Sequence, residues 1–179
     1  MSEIDDAARV EGRVWVFPDR NVNSDLLMPG AAFTMRTEEE QARLVLRSYR
    51  PGWVDLVDEG DVIVAAANFG TGSGRPWARL LHILGVRAIV AESINDLAYR
   101  NCINAALPAL EAPGIVAAVE EGQHLAIDAR AGTVRVIETG QELAAAPVPD
   151  PLLEIIAAGG LVEQLTAAGY ISSPSPDDS

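Results

Sequence analysis

One cysteine, two histidines and half as many basic as acidic side chains set the first limits on this chain of 179 residues. The lone thiol, Cys102, excludes an internal disulfide and cannot hold a metal cluster unaided, because a cluster needs several thiolates or imidazoles. His82 and His124 are too few to favour a zinc site. Thirteen basic against 26 acidic side chains give a formal net charge of -13, which disfavours nucleic acid as a partner because phosphate binding needs basic clusters. No apolar run is long enough to span a bilayer, and the acidic opening Ser2-Glu3-Ile4-Asp5-Asp6 is unlike a basic-then-apolar leader. The expectation is a cytoplasmic protein with neither membrane nor nucleic acid as partner.

What the chain does have is enough apolar material for one well-filled core. Hydrophobic residues make up 49% of it, a globular composition, and a chain of this length buries roughly 70% of its unfolded surface. We expect an N-terminal extension over 1–11, a folded domain over 12–167 and a disordered tail over 168–179, where Ser, Pro and Asp dominate the last eight positions.

The patterning predicts an α/β chain. Arg13-Val14-Trp15-Val16-Phe17 reads as a buried strand stopped by Pro18-Asp19, followed by the polar loop Asn21-Val22-Asn23-Ser24-Asp25. Thr37 before three glutamates is an N-cap signal and predicts a helix to about Ser48. A strand over 61–67, a helix over 77–84 ended by Gly85 and a strand over 86–91 form a right-handed parallel β-α-β unit. A second helix is expected over 95–105, a hairpin from 124–128 and 133–137, and a closing helix from 151 to about 158. Strands at both ends with helices between them predict a layered α/β domain rather than a Rossmann sheet.

Between the central strand and the helix at Trp77 lies Asn68-Phe69-Gly70-Thr71-Gly72-Ser73-Gly74-Arg75-Pro76. Three glycines in five residues permit positive φ and close approach of a ligand, and free N–H groups at a helix start favour an anion. The loop is not a P-loop, since the required lysine is absent, and its glycines are not spaced as in a dinucleotide fingerprint. Local sequence alone leaves plainer roles open: Ser73 as a helix N-cap and Arg75 as half of a surface ion pair.

That loop, the downstream Tyr99-Arg100-Asn101-Cys102-Ile103-Asn104-Ala105-Ala106-Leu107-Pro108, the tail motif Ala158-Gly159-Gly160-Leu161-Val162-Glu163 and the opening Gly12-Arg13-Val14-Trp15-Val16-Phe17 occur in one order. In that order the chain resembles the small subunit of 3-isopropylmalate dehydratase, equivalent to the swivelling domain of aconitase, from about Gly12 to about Leu165. The resemblance implies the layered β/β/α swivelling fold. It also implies a hydro-lyase subunit that acts on a hydroxy di- or tricarboxylic acid only together with a large subunit. By this resemblance Ser73 matches the catalytic serine base and Arg75 the substrate-binding arginine, with Gly72 and Gly74 flanking the serine. A serine can be a base only where backbone N–H groups and a fixed positive charge stabilise its alkoxide. The [4Fe-4S] cluster that serves as Lewis acid is expected on the large subunit, none being bound by this chain alone.

Three segments depart from the family pattern: the second serine, the pair after Arg75 and the entry loop. The usual Gly-Ser-Ser-Arg-Glu-His reads Gly72-Ser73-Gly74-Arg75-Pro76-Trp77, so a serine that contacts a substrate carboxylate has become Gly74 and a polar pair has become Pro76-Trp77. The entry loop, usually Asp-Thr-Asp, reads Asn23-Ser24-Asp25. The resemblance places the substrate-selecting segment after Pro29-Gly30, so Ala32-Phe33-Thr34-Met35 is expected to form an apolar wall, with Thr34 and Met35 as candidate substrate contacts and Arg36 at the edge. Trp77 adds an apolar ring nearby, and a substrate less polar or bulkier than citrate is expected. Asn101 and Asn104 are expected to bond local backbone, Cys102 to be a buried small hydrophobe and His82 to be packed or on the surface. The competing readings are a swivelling-fold binding or regulatory module without catalysis, and an independent phosphate-binding domain.

Overall fold

The computed structural model describes residues 3–172 and contains α1 (Glu3–Ala7), β1 (Arg9–Phe17), α2 (Ser24–Leu27), α3 (Glu38–Ala42), β2 (Val62–Ala65), α4 (Trp77–Ile83), β3 (Ala88–Ala91) and α5 (Asp96–Asn104). These are followed by β4 (Ala109–Glu111), α6 (Ile115–Ala118), β5 (His124–Asp128), β6 (Thr133–Val136), β7 (Glu142–Ala144), α7 (Asp150–Ala157) and α8 (Leu161–Ala167). Short 3-10 turns occupy Gly30–Thr34 and Trp53–Asp55. Of the expected tail over 168–179, residues 173–179 lie outside the described residues.

One seven-stranded sheet, ordered β4-β3-β2-β1-β5-β6-β7, carries everything else. Strand β1 is shared between two styles of pairing. Val14 to Phe17 run parallel to Val62 to Ala65, while Arg9 to Arg13 run antiparallel to Asp128 to His124. On one side the sheet continues parallel through β3 and β4; on the other it continues antiparallel through β6 and β7.

Both faces of the parallel half are buried, as continuous apolar strands require. Trp15, Phe17, Ile63, Ala65, Ile89 and Ala91 pack under α4, α5 and the segment from Val22 to Trp53. Val14, Val62, Val64, Ala88 and Val90 pack in a second core with Leu125, Ile127, Val134 and Val136 of the antiparallel strands and with Leu153 and Ile156 of α7. The antiparallel half therefore curls over the back of the parallel half.

The expected helix from Glu38 to Ser48 stops at Ala42. Its N-cap is the one the sequence marks, Thr37 accepting from the Glu40 N–H. It ends early because Leu46 adopts φ 57, donates its N–H to Leu27 O at 3.2 Å and buries its side chain. Tertiary burial overrides local propensity there. At the N-terminus α1 packs beside α7, and Arg130 joins Asp5 to Asp150 at 2.8 Å on each side.

Candidate active site

Beyond the end of β2 the chain turns through Asn68 to Arg75 before entering α4. Two parts of the molecule hold this turn. On one side Gly70 N–H donates to Val22 O at 2.8 Å, Ser24 N–H donates to Thr71 O at 2.7 Å, and the Asn68 side-chain amide donates to Asn21 Oδ1 at 2.8 Å. On the other, Phe69 N–H donates to Ser93 O at 3.0 Å, and Asn101 Nδ2, projecting from α5, donates to Arg75 O. The two sets of partners lie on the connections that leave the carboxyl ends of β1 and β3, where ligands gather in open α/β sheets.

The turn presents Ser73 to solvent with its hydroxyl already engaged. Ser73 Oγ stands 3.2 Å from Ser24 Oγ and accepts from Arg75 Nε at 3.3 Å, and Ser73 N–H donates to Ser24 Oγ at 3.0 Å. Arg75 is anchored further by a 2.7 Å bond to Met28 O and by an ion pair with Asp25, and its guanidinium lies 5.4 Å from the Phe33 ring centroid. Ser73 is not a helix cap: Pro76 occupies that position of α4 and no side chain caps it.

Gly72 must be glycine. Its φ is +105 and a Cβ there would lie 2.8 Å from Ser24 Oγ. Gly74 is not so constrained, since a Cβ would meet only Leu97, at 3.5 Å and beyond.

Ser73, Arg75, Gly72 and Gly74 are thus brought together with Ser24, Asp25 and Phe33. Thr34 turns its hydroxyl back onto Ala31 O at 2.8 Å, and Met35 is half-buried at the end of the same 3-10 turn. Of the apolar segment it is the exposed Phe33 that meets Arg75. Trp77 does not flank the site as expected; it is buried beneath the turn, edge-on to Phe69 with centroids 5.7 Å apart. Asn101 reaches across to this turn rather than to local backbone. Neither Ser24 nor Asn101 carries a motif of its own chemistry, and both become visible only once distant segments meet.

Cys102 is fully buried, and burial pushes its thiol well above the ordinary range. His82 is half-buried on α4; burial first, then Arg87 and Arg79, lower its pKa, and Arg87 donates to His82 O at 3.0 Å. Among the described residues, no group of three or more His, Cys, Asp or Glu side chains could hold a metal ion, so the residues present do not fit an iron-sulfur cluster. No helix among the described residues is long and apolar enough to cross a membrane.

The turn thus carries a solvent-facing serine held between an arginine and a buried hydroxyl, on the strand-to-helix connection of a curled mixed sheet. The family model of the aconitase C-terminal domain matches residues 34–114, a span that contains the whole turn. The 3-isopropylmalate dehydratase small subunit 1 of Methanopyrus kandleri is 42% identical over 89% of this chain and 94% of its own length. A methanogen homoaconitase small subunit from Methanothermobacter thermautotrophicus is 40% identical over 86% of this chain and 88% of its own. The crystal structure of a 3-isopropylmalate dehydratase from Methanocaldococcus jannaschii superposes with a TM-score of 0.82 at 29% identity, covering 90% of this chain and 96% of that one. The chain belongs to the family of 3-isopropylmalate dehydratase small subunits, which are subunits of aconitase-type hydro-lyases.

Proposed function

We propose that this chain supplies the base and a carboxylate anchor to a two-subunit hydro-lyase acting on a hydroxy di- or tricarboxylic acid. Ser73 is the base that takes the carbon-bound proton, and Arg75 is the cation that receives a substrate carboxylate. The observation that carries this reading is the convergence of Arg75 Nε and Ser24 Oγ on Ser73 Oγ, an arrangement that favours the alkoxide a serine base requires. Asp25 is 65% exposed while Arg75 is 21% exposed, so Asp25 is the partner free to swing away when a substrate carboxylate arrives.

The large subunit is the partner to which the relatives' names as small subunits point. Because the described residues of this chain do not fit a cluster, we place the [4Fe-4S] group on that subunit. The isolated chain is accordingly expected to contain no stoichiometric iron and to be inactive. Thr34 and Met35 remain candidate contacts to the substrate side chain, with the neighbouring Phe33 against Arg75. A cytoplasmic location is part of the same reading.

The test is the reconstituted complex. Ser73→Ala is expected to abolish turnover with KM within several fold, because a base acts in the transition state. Arg75→Lys is expected to raise KM, since an ammonium cannot reproduce the guanidinium fork, and also to lower kcat, since it removes the Nε donor to Ser73. Near-normal turnover by Ser73→Ala sinks the assignment of the base.

A further inference from the structure

Ser24 and Asp61 are the two buried polar side chains among the described residues, and Ser24 is only 1% exposed. A buried hydroxyl has to place one proton and two lone pairs. Ser24 Oγ accepts the Ser73 N–H at 3.0 Å, and the remaining polar neighbour for its proton is Ser73 Oγ at 3.2 Å. While Ser73 is neutral, either hydroxyl can be the donor of that pair. Once Ser73 has lost its proton only Ser24 has one to share, so the direction of the bond becomes fixed.

We propose that Ser24 is a donor dedicated to the alkoxide of Ser73, so that the base is held by a buried hydroxyl from one side and by Arg75 Nε from the other. This inference rests on Ser73 being the base. The Ser24 hydroxyl is fixed before any substrate binds: its N–H is tied to Thr71 O at 2.7 Å, its carbonyl accepts from Met28 N at 2.9 Å, and the preceding Asn23 caps α2 by accepting from the Asp25 and Leu26 N–H groups at 3.0 Å each. Gly72 leaves the hydroxyl undisturbed, since a Cβ at that position would lie 2.8 Å from it. A fixed donor in a water-excluded position stabilises developing charge without reorganising at the moment of reaction. In the step itself the substrate C–H bond breaks, its proton passes to Ser73 Oγ, and the Ser24 proton stays on Ser24.

A residue that merely staples the turn would act through binding and folding; a donor to the base acts on its pKa. In the complex with the large subunit, Ser24→Ala should lower kcat by about 10²–10³-fold, the usual loss on removing one such donor, with KM within several fold. The acid limb of the kcat profile should move to higher pH, because the unsupported alkoxide is harder to form, and the primary deuterium isotope effect from substrate labelled at the abstracted position should rise. Ser24→Thr, which keeps a hydroxyl, should retain most of the turnover. If the alanine variant does not fold, Ser24→Cys, a weak donor of similar size, replaces it with the same expectations. Turnover within several fold of the parent, a loss confined to KM with an unmoved acid limb, or a threonine variant as slow as alanine overturns the proposal. Ser73→Ala measured alongside separates the two readings: if it is dead while Ser24→Ala is normal, the donor role alone fails, and if it is active, the base assignment fails.

Discussion

Gly72 and Gly74 flank one serine, yet the fold asks different things of them. Gly72 is held at positive φ against Ser24, and Gly72→Ala is expected to cost about 1–2 kcal/mol from φ alone, with further loss from the contact with Ser24 Oγ. Gly74 has ordinary φ and only Leu97 before it, so Gly74→Ser should change stability by no more than about 0.5 kcal/mol. It restores a hydroxyl beside Arg75, and the complex should gain activity on isopropylmalate relative to the parent. Urea unfolding of both variants and kcat/KM on citrate, isopropylmalate and alkyl-substituted malates check the pair of expectations; an unfolded Gly74→Ser would contradict the geometry. Glycine spacing and a strand-to-helix context made the turn itself legible in sequence, whereas the roles proposed for Ser73 and Arg75 came from the family resemblance. Ser24 and Asn101 were not, since their partners lie 49 and 26 residues away and no local pattern encodes those meetings. Trp77 misled for a related reason: a large ring close to Ser73 in sequence suggests a wall, but the first residue of a helix can point inward as readily as toward a ligand.

At the scale of elements, the turn is a bridge suspended between supports. Helix α5 supplies one through Asn101, and the polar loop before α2 supplies the other. Removing the α5 support by Asn101→Ala leaves Arg75 O without this donor and frees the residue proposed to align both the base and the substrate carboxylate. Turnover should fall about tenfold, the equivalent of one hydrogen bond of about 1.4 kcal/mol, while amide exchange at Gly72 to Arg75 accelerates and exchange in β2 stays slow. Exchange unchanged across the turn would show that α5 does not hold it. A cap made the start of α3 readable, as Thr37 accepts where the sequence says it should; Asn95, expected inside the second helix, instead caps it. Elements as short as the three-residue β4 and β7 give no period to read, and the early end of α3 is set by where Leu46 must be buried.

Over the whole molecule, the junction between the two halves of the sheet is guarded by a charged knot. Asp61, at the entrance to β2, accepts from Arg13 Nε at 3.1 Å, from a terminal nitrogen of Arg13 at 2.7 Å, from Trp15 Nε1 at 2.6 Å and from Asp58 N–H at 2.8 Å. Burial alone would raise its pKa, but the bonds from Arg13, Asp58 and Trp15 outweigh it and hold the carboxyl below its ordinary value. The Arg50 guanidinium, with burial opposing it, lowers Glu121 in the same direction. A lowered carboxylate stabilises the fold fully above its unfolded pKa of about 3.9 and loses that stabilisation as pH falls through the lowered value. Asp61→Asn should therefore destabilise the chain by about 1.5–3 kcal/mol at pH 7 and flatten the decline of stability with acid that the parent shows below about pH 4. Denaturant unfolding across that range is the measurement, and equal pH slopes in parent and variant would refute it. The parallel β-α-β half and the hairpin were readable from apolar runs and turn residues. The curl was not, because it depends on one strand changing partners midway, and nothing in the alternation of Arg9 to Phe17 announces that change.

The ring beneath the turn gives the molecule an optical property as well as a structural one. Trp77 is 1% exposed, and a Cβ at Gly70 would lie 2.9 Å from it, so the indole has the turn for a ceiling. Any lifting of that ceiling, whether by a partner closing over Ser73 or by Asp25 letting go of Arg75, alters the surroundings of a buried fluorophore. Trp15 and Trp53 sit together in the core near Phe17, with ring centroids 6.1 Å apart. With those two replaced, the emission of Trp77 becomes a built-in gauge of whether the serine is covered or bare, read without substrate and without a label.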